Sequence, residues 1–347
     1  MSHSFDARTV NESFGDPGVY VGFRLRKRAV LFDLGDNAPL AARDLLRVTH
    51  VFVSHTHMDH FIGFDRLVRI CVGTHAGMAL FGPPGFVTQV ERRLAAYTWD
   101  RDDRSDVDLV LTATEVDAAG ATTSGRFRTS NGFLREPLPP GRASDGVLVD
   151  DEGLQVRCVM LEHRTPCLGF AIEEKPRVNV RMEGLAALGL VDGPWIAGLK
   201  HAAQAGAPDD TPIRVAWSDT GGAHERVIPF GALKDAVEST RGEKIVYVTD
   251  VVFNESNLAR IAALARDADV LFIESVFLDA DREHAARKQH LTARQAGTIA
   301  RAAGARKVIP FHFSPRYKGR GRGPARGTRG SMAGGLMGAR GSCRRTR

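Results

Sequence analysis

The segment His55-Thr-His57-Met-Asp59-His60 constrains this chain more than any other, because it packs three imidazoles and one carboxylate into six residues directly after the apolar run Val48–Ser54. Imidazole and carboxylate are the usual ligands of zinc and of other borderline divalent metals. A strand that ends in a turn aims His55 and His57 at one point. Asp59 and His60, at the start of the helix that follows, aim at a second point a few ångströms away. One short loop can thus seed a two-metal site. A polar loop with incidental histidines is the bland alternative, and four ligand-type residues at this spacing argue against it.

The rest of the chain reads as alternating strands and helices, which implies helices covering a sheet. Strands are expected at Val19–Phe23, Ala29–Phe32, Val48–Ser54, Asp108–Glu115, Gln155–Leu161, Gly169–Glu173, Lys244–Thr249, Val270–Ile273 and Lys307–Phe311. Helices are expected over Ala41–Leu46, Phe61–Val72, Pro84–Ala96, Glu255–Arg266 and Thr292–Ala303. The stretch Arg135–Asp145, rich in Pro and Gly, reads as a long loop. Residues 176–240 mix Gly, Pro and polar side chains and read as an inserted arm within a hydrolase domain spanning 1–317.

From Lys318 onward the composition changes. Nine Lys or Arg and nine Gly follow with no Asp or Glu. Such a segment cannot bury a core, so 318–347 is expected to be a disordered basic tail. The whole chain carries +6, so residues 1–317 sum to about −3, and the folded part does not advertise nucleic-acid binding by net charge. No apolar run reaches the roughly 18–20 residues of a membrane span. No basic-then-apolar leader opens the chain, and Cys71, Cys158, Cys167 and Cys343 lack C-x-x-C spacing. These features lead us to expect a cytoplasmic protein with free thiols.

The first motif resembles the signature of the metallo-β-lactamase superfamily, and the remaining ligand positions can be sought in chain order. His163 follows a strand in Leu161-Glu-His-Arg-Thr. Asp250 ends the strand Ile245-Val-Tyr-Val-Thr-Asp. His312 ends Val308-Ile-Pro-Phe-His-Phe. Asp219 in Trp217-Ser-Asp-Thr-Gly competes with Asp250, but Asp250 closes the stronger apolar strand. The resemblance implies that His55, His57 and His163 hold one metal, that Asp59, His60 and His312 hold a second, and that Asp250 bridges them. It also implies a four-layer αββα sandwich, an α+β fold.

Within that superfamily, Phe272-Ile-Glu-Ser-Val-Phe-Leu-Asp279, Gln289-His-Leu-Thr-Ala-Arg-Gln-Ala296 and His312-Phe-Ser-Pro-Arg-Tyr317 are similar to the C-terminal half of ribonuclease Z, the transfer-RNA 3′ processing endonuclease. Gly189-Leu-Val-Asp-Gly-Pro-Trp-Ile-Ala-Gly-Leu-Lys200 is similar to the Gly-Pro segment at the base of that family's substrate arm. The resemblance implies a homodimeric, zinc-dependent phosphodiesterase with two metals per subunit, acting on precursor transfer RNA by metal-activated hydroxide attack. Manganese or iron would suit the same ligands. Asp59 would orient or deprotonate the nucleophile. His290, supported by Glu274, would protonate the leaving oxygen. Ser314 and Arg316, beside His312, would contact phosphate.

The chain departs from the family in places. It opens with Phe5-Asp-Ala-Arg-Thr-Val instead of a Gly-rich strand-turn, reads Phe32-Asp-Leu-Gly-Asp36 for Asp-Cys-Gly-Glu-Gly, and has Thr249-Asp-Val251 for Gly-Asp-Thr. Its arm carries mainly Lys200, Arg214 and Arg226 as cations. A small phosphodiester or other ester therefore stands as the alternative substrate. A non-catalytic RNA-binding protein with a vestigial site would not need so complete a ligand set. His3, His50, His75, His201, His224 and His284 read as surface or packing residues, and Cys167 as packing.

Overall fold

The computed structural model describes residues 4–24, 26–99, 107–151, 153–219 and 222–319. The expected disordered tail falls, beyond Gly319, outside the described residues. Among the described residues no helix is long and apolar enough to cross a membrane.

Among the described residues two compact units emerge, one drawn from 4–151, 155–173 and 243–319, the other from 153–154 and 174–242. The first unit opens with nine strands: β1 (Phe5–Thr9), β2 (Val19–Phe23), β3 (Ala29–Phe32), β4 (Val48–Phe52), β5 (Gly77–Gly82), β6 (Val110–Val116), β7 (Ala121–Arg128), β8 (Glu136–Pro137) and β9 (Gly141–Arg142). They form one sheet ordered β1 to β8, with β9 also on β7. Its centre, β3 to β6, is parallel. The chain continues with β10 (Val147–Asp150), β11 (Leu154–Leu161) and β12 (Cys167–Glu174). The second unit follows, pairing β13 (Arg177–Val180) with a later strand and folding β14 (Pro212–Asp219) onto β15 (Gly222–Pro229) as a hairpin. Leu185, Trp195, Leu199, Val215 and Phe230 form its own core. After β16 (Val237–Thr240), the partner of β13, the chain returns through β17 (Lys244–Val248), β18 (Val270–Glu274) and β19 (Lys307–Phe311). These complete a second sheet of order β10-β11-β12-β17-β18-β19.

The period of two along the strands explains the layers of the first unit. Leu31 on β3, Val51 on β4 and Val53 just past it pack with the helix residues Leu45, Phe64, Leu67 and Val90. The alternate residues Phe32 and Phe52 point the other way and meet Phe170 and Tyr247 of the second sheet, with ring centroids 5.6–5.8 Å apart. On β17 and β18, Val246, Val248, Leu271 and Ile273 pack with Ile261, Ala296 and Ile299 of the helices Glu255–Leu264 and Ala293–Ala303. The result is helix, sheet, sheet, helix: the αββα sandwich.

Two local expectations need correction, and some elements had no sequence signal. The helix expected over Phe61–Val72 is two, Met58–Phe61 and Phe64–Cys71, and Ile62 at the break is 45% exposed. Gly63 separates them because its amide donates to the Leu34 carbonyl, and a Cβ there would stand 2.3 Å from the Gly35 carbonyl oxygen. Strands β5 and β7 and the helix Arg282–Lys288 went unread in the sequence. Within Arg135–Asp145 the two-residue strands β8 and β9 pair with β7, so the stretch is not wholly loop.

Phe32, fully buried, sits against three aromatic rings between the sheets. Phe32→Ala should lower stability by about 3–5 kcal/mol, seen as a lower urea midpoint at unchanged slope. A shift equivalent to less than about 1 kcal/mol would mean that the inter-sheet layer is not packed as described.

Candidate metal centre

The site gathers at the carboxyl ends of strands, where the chain must leave the sheet. Asp33 directly follows β3 and His312 directly follows β19, while Asp250 lies two residues past β17. All three have left-handed backbones, with φ of 55°, 57° and 46°. Non-glycine residues there cost on the order of 1–3 kcal/mol each, which the surrounding structure must offset. The His55–His60 loop follows β4, and its His57, with extended backbone, stands at the N-cap position of the short helix Met58–Phe61. His163 lies between β11 and β12. Glu274 ends β18. His290 comes two residues before Thr292, whose capping box with Gln295 starts the helix Ala293–Ala303.

Asp250 is at the centre, 3% exposed. Its Oδ2 lies 3.5 Å from His55 Nε2, 3.4 Å from His60 Nε2 and 3.7 Å from His163 Nε2. Its Oδ1 lies 3.0 Å from His312 Nδ1 and 3.7 Å from His290 Nδ1. His57 Nδ1 is 2.9 Å from His55 Nε2. Asp59 Oδ2 stands 3.4 Å from His312 Nε2 and 3.5 Å from His60 Nε2. Potential ligand atoms fall into groups within 4.8 Å of one another: His55, His57, His163 and Asp250; Asp59, His60 and His312; and Asp250, Glu274, His290 and His312. Every residue expected at the metals is therefore in one cluster. The rival Asp219 is in the second unit, and its side chain lies outside what the structure describes.

Hydrogen bonds behind the histidines fix which nitrogen faces inward. His60 Nδ1 donates to Asp33 Oδ2 at 2.7 Å, and His163 Nδ1 donates to the Gln289 carbonyl at 3.0 Å. In each case the oxygen accepts from Nδ1, and Nε2 is the atom turned toward Asp250. Burial keeps the His163 ring neutral. On His60 burial is outweighed by the Asp250 and Asp33 carboxylates, which hold its proton well above the usual range, so its Nε2 offers a lone pair once that proton leaves. His60 Nε2 is buried with no hydrogen-bond partner, and so is His312 Nδ1, whose 3.0 Å approach to Asp250 lacks hydrogen-bond geometry. Lone pairs converging on a buried carboxylate repel it unless a cation or protons intervene. Divalent metal fits this donor set.

The titration behaviour of the metal-free cluster agrees. Burial raises the pKa of Asp250, but the His60 and His312 imidazoles outweigh it and hold the carboxyl well below its usual range. Burial opposes charge on His312 too, yet Asp250 lifts it to about 9. Desolvation, then the neighbouring His60, drives His55 down to about 2. Protons on some rings neutralise the carboxylates when no metal does, and metal binding would release them.

Glu274 and His290 behave differently. Glu274, fully buried, accepts from Val251 N–H at 2.9 Å and Leu291 N–H at 3.2 Å through Oε1, and from His290 Nδ1 at 2.9 Å through Oε2. With both oxygens engaged, it orients His290 and leaves Nε2 free. Burial lowers the His290 pKa, but the Glu274 carboxylate more than compensates and raises it. Ser314 and Arg316 follow His312; Arg316 is exposed, and Ser314 N–H donates to the Val276 carbonyl.

Sequence reasoning missed the supports. Asp33 Oδ2 accepts from Ser54 Oγ (2.8 Å) and Tyr247 Oη (2.7 Å) besides His60, while Oδ1 accepts from Ser54 N–H (2.6 Å). Nothing in a lone Asp after a strand, or a Tyr over two hundred residues later, signals this hub. Cys167, read as packing, is buried; its Sγ donates to the Thr249 carbonyl and lies 3.9 Å from His55 Nδ1.

Comparisons with known proteins agree with this architecture. A family model described as a beta-lactamase superfamily domain matches residues 234–313. The crystal structure of human tRNase Z, short form, superposes with a TM-score of 0.50 at 19% identity, covering 91% of this chain and 92% of that one. Fold and site together define a metal-dependent hydrolase of the metallo-β-lactamase superfamily. Ribonuclease Z of Deinococcus radiodurans is 33% identical over 298 residues, covering 83% of each protein. That of Rippkaea orientalis is 30% identical over 306 residues, covering 86% of this chain and 80% of the relative. The chain belongs to the ribonuclease Z family.

Asp33→Asn should weaken divalent-metal affinity about 10–100-fold in a chelator competition, because His60 loses its fixed orientation. Tyr247→Phe removes one bond to the same carboxylate and should cost about 1–2 kcal/mol of stability with little change in metal affinity. Equal metal affinities for wild type and Asp33→Asn would show that the hub does not orient a ligand.

Proposed function

We propose that this protein is an endoribonuclease that trims precursor transfer RNA at its 3′ end, working through two zinc ions per subunit in a cytoplasmic homodimer. The observation that carries the reading is the cluster of seven ligand-type residues around Asp250, with His290 and Glu274 beside it, in a chain of the ribonuclease Z family. In this assignment His55, His57 and His163 ligate one ion, Asp59, His60 and His312 the other, and Asp250 both. The donors are nitrogen and oxygen only, which zinc shares with manganese and iron.

Divalent metal in such a site supplies a hydroxide near neutral pH and neutralises charge on a phosphoryl oxygen. Asp59, less buried than Asp250, orients the attacking water and can take its proton. His290 holds its Nδ1 proton against Glu274 and delivers the one on Nε2 to the leaving oxygen, so the bond to phosphorus breaks without releasing an alkoxide. Ser314 steadies the phosphate beside His312, and Arg316, over the Phe277 ring, takes a phosphate on that side of it.

A second reading keeps the site and replaces RNA with a small phosphodiester or other ester. The charge of the arm favours it: residues 174–242 hold eight Lys or Arg against nine Asp or Glu. The two readings part on a precursor transfer RNA with a 3′ trailer, assayed with wild type and His57→Ala. Cleavage at the trailer junction by wild type alone supports the first. A metal-loaded protein that splits only a small diester moves the function to the second.

His290→Ala should cut turnover by about 10²–10⁴-fold with metal content unchanged. Loss of metal from that variant would remove the proton-donor role and make His290 a ligand.

A further inference from the structure

His284, on the helix Arg282–Lys288, sits between two guanidinium groups. Arg316 Nη2 lies 3.0 Å from its Nε2, and Arg287 Nη2 lies 3.4 Å from its Nδ1. A guanidinium only donates, and a neutral imidazole accepts at one nitrogen only. One of the two contacts is therefore donor against donor, and the cluster lacks an acceptor. Some compensation comes from Asp281, whose carboxylate is 3.9 Å from Arg316 Nη1 but also accepts from Tyr317 Oη. No carboxylate lies within 4 Å of Arg287 or of Arg164 among the described residues, and Arg164 Nη2 reaches the Arg287 carbonyl at 3.2 Å. Arg164, Arg287 and Arg316 are all exposed.

The cluster adjoins the metal centre through one ring. Phe277 packs against His290 with centroids 6.2 Å apart, meets His284 edge-on at 5.1 Å, and lies under the Arg316 guanidinium at 5.2 Å. Two exposed guanidinium groups with one acceptor nitrogen between them, beside the metal centre, match an oxyanion that takes several charge-assisted hydrogen bonds at once. Of the acids lining the same cleft, Asp279 is paired with Arg282 and Arg294, Asp281 faces Arg316 and Tyr317, and Glu283 is exposed.

We infer that His284, Arg287 and Arg316 form a second phosphate subsite, which holds a backbone phosphate of RNA next to the one being cut. This rests on the proposed reading of the metal centre as a phosphodiesterase. The phosphate accepts from both guanidinium groups and from an imidazole N–H, and Phe277 fixes the Arg316 plane. A small diester carries no second phosphate and does not use the subsite.

The test compares wild type, Arg287→Gln, His284→Gln and Arg287→Lys on a precursor transfer RNA, on bis(p-nitrophenyl) phosphate, and in equilibrium binding of the same RNA across a KCl series. Arg287→Gln and His284→Gln should raise KM for the RNA about tenfold, with the small diester cut as by wild type. Arg287→Gln should lower the salt slope of RNA binding by about one, and Arg287→Lys should recover most of that slope. Equal loss on both substrates would mean a structural role and overturn the inference, as would unchanged RNA kinetics. If wild type splits the diester but not the RNA, the RNA-processing reading fails separately. The subsite then stands or falls on the binding slopes, and an unchanged slope in Arg287→Gln overturns it.

Discussion

A carboxylate buried to 3% exposure, Asp250, sets the terms for everything around it. An isolated ion in such a place would be prohibitively costly, and a buried charge survives only when it is paired and hydrogen-bonded. Five imidazoles approach Asp250 within 3.7 Å, and the Thr249 hydroxyl donates to its Oδ1 at 3.0 Å. No single element could supply this set. The imidazoles come from the loops after β4, β11 and β19 and from the turn before the helix Ala293–Ala303, so the centre exists only when both sheets are in register. In this sense Asp250 couples catalysis to folding: a group that needs many partners can be met only by a chain that has closed its sandwich.

The sandwich in turn explains why those partners hold still. Phe32, Phe52, Phe170 and Tyr247 fill the space between the sheets, and the next residues along β3 and β4 lead straight to Asp33 and to the histidine loop. Tyr247 does both jobs. Its ring stacks on Phe32 at 5.6 Å, and its hydroxyl donates to Asp33, which orients His60. Packing between the sheets is thereby transmitted to the orientation of a histidine in the cluster through two contacts. The left-handed backbones of Asp33, Asp250 and His312 are tolerated because these rings and hydrogen bonds leave the strand ends no alternative.

The site was far more legible in the sequence than its supports, for a physical reason. Four ligand-type side chains in six residues are improbable unless a metal selects them, whereas Asp33 is one acid after one strand. Its importance comes from three donors that meet it only in space. Strands with continuous apolar runs, such as β4 and β17, declared themselves. Strand β7, Ala-Thr-Thr-Ser-Gly-Arg-Phe-Arg, did not, because its buried positions include Gly125 and its first half faces solvent. The helix Arg282–Lys288 buries only Ala285, so it carries no apolar period. His284 reads from the sequence as a surface or packing residue because nothing there shows that Arg316, thirty-two positions away, lies against it.

Charge is the term on which an RNA substrate is hardest to reconcile with this chain, and its distribution matters more than its sum. Residues 1–317 are slightly acidic and the arm is close to neutral, so neither supplies a broad positive field. At physiological ionic strength, however, exposed charges farther apart than about 8–10 Å are largely screened from one another. A phosphate at the centre therefore responds to the few cations nearest it and hardly to the tally. Arg164, Arg287 and Arg316 are gathered on the His290 side of the centre, two of them without a carboxylate within 4 Å among the described residues. With a neutral arm, the attraction for a polyanion would be concentrated where the reaction occurs. Discrimination between RNA and a small diester would then depend on how many phosphates reach that edge at once, with little contribution from long-range steering.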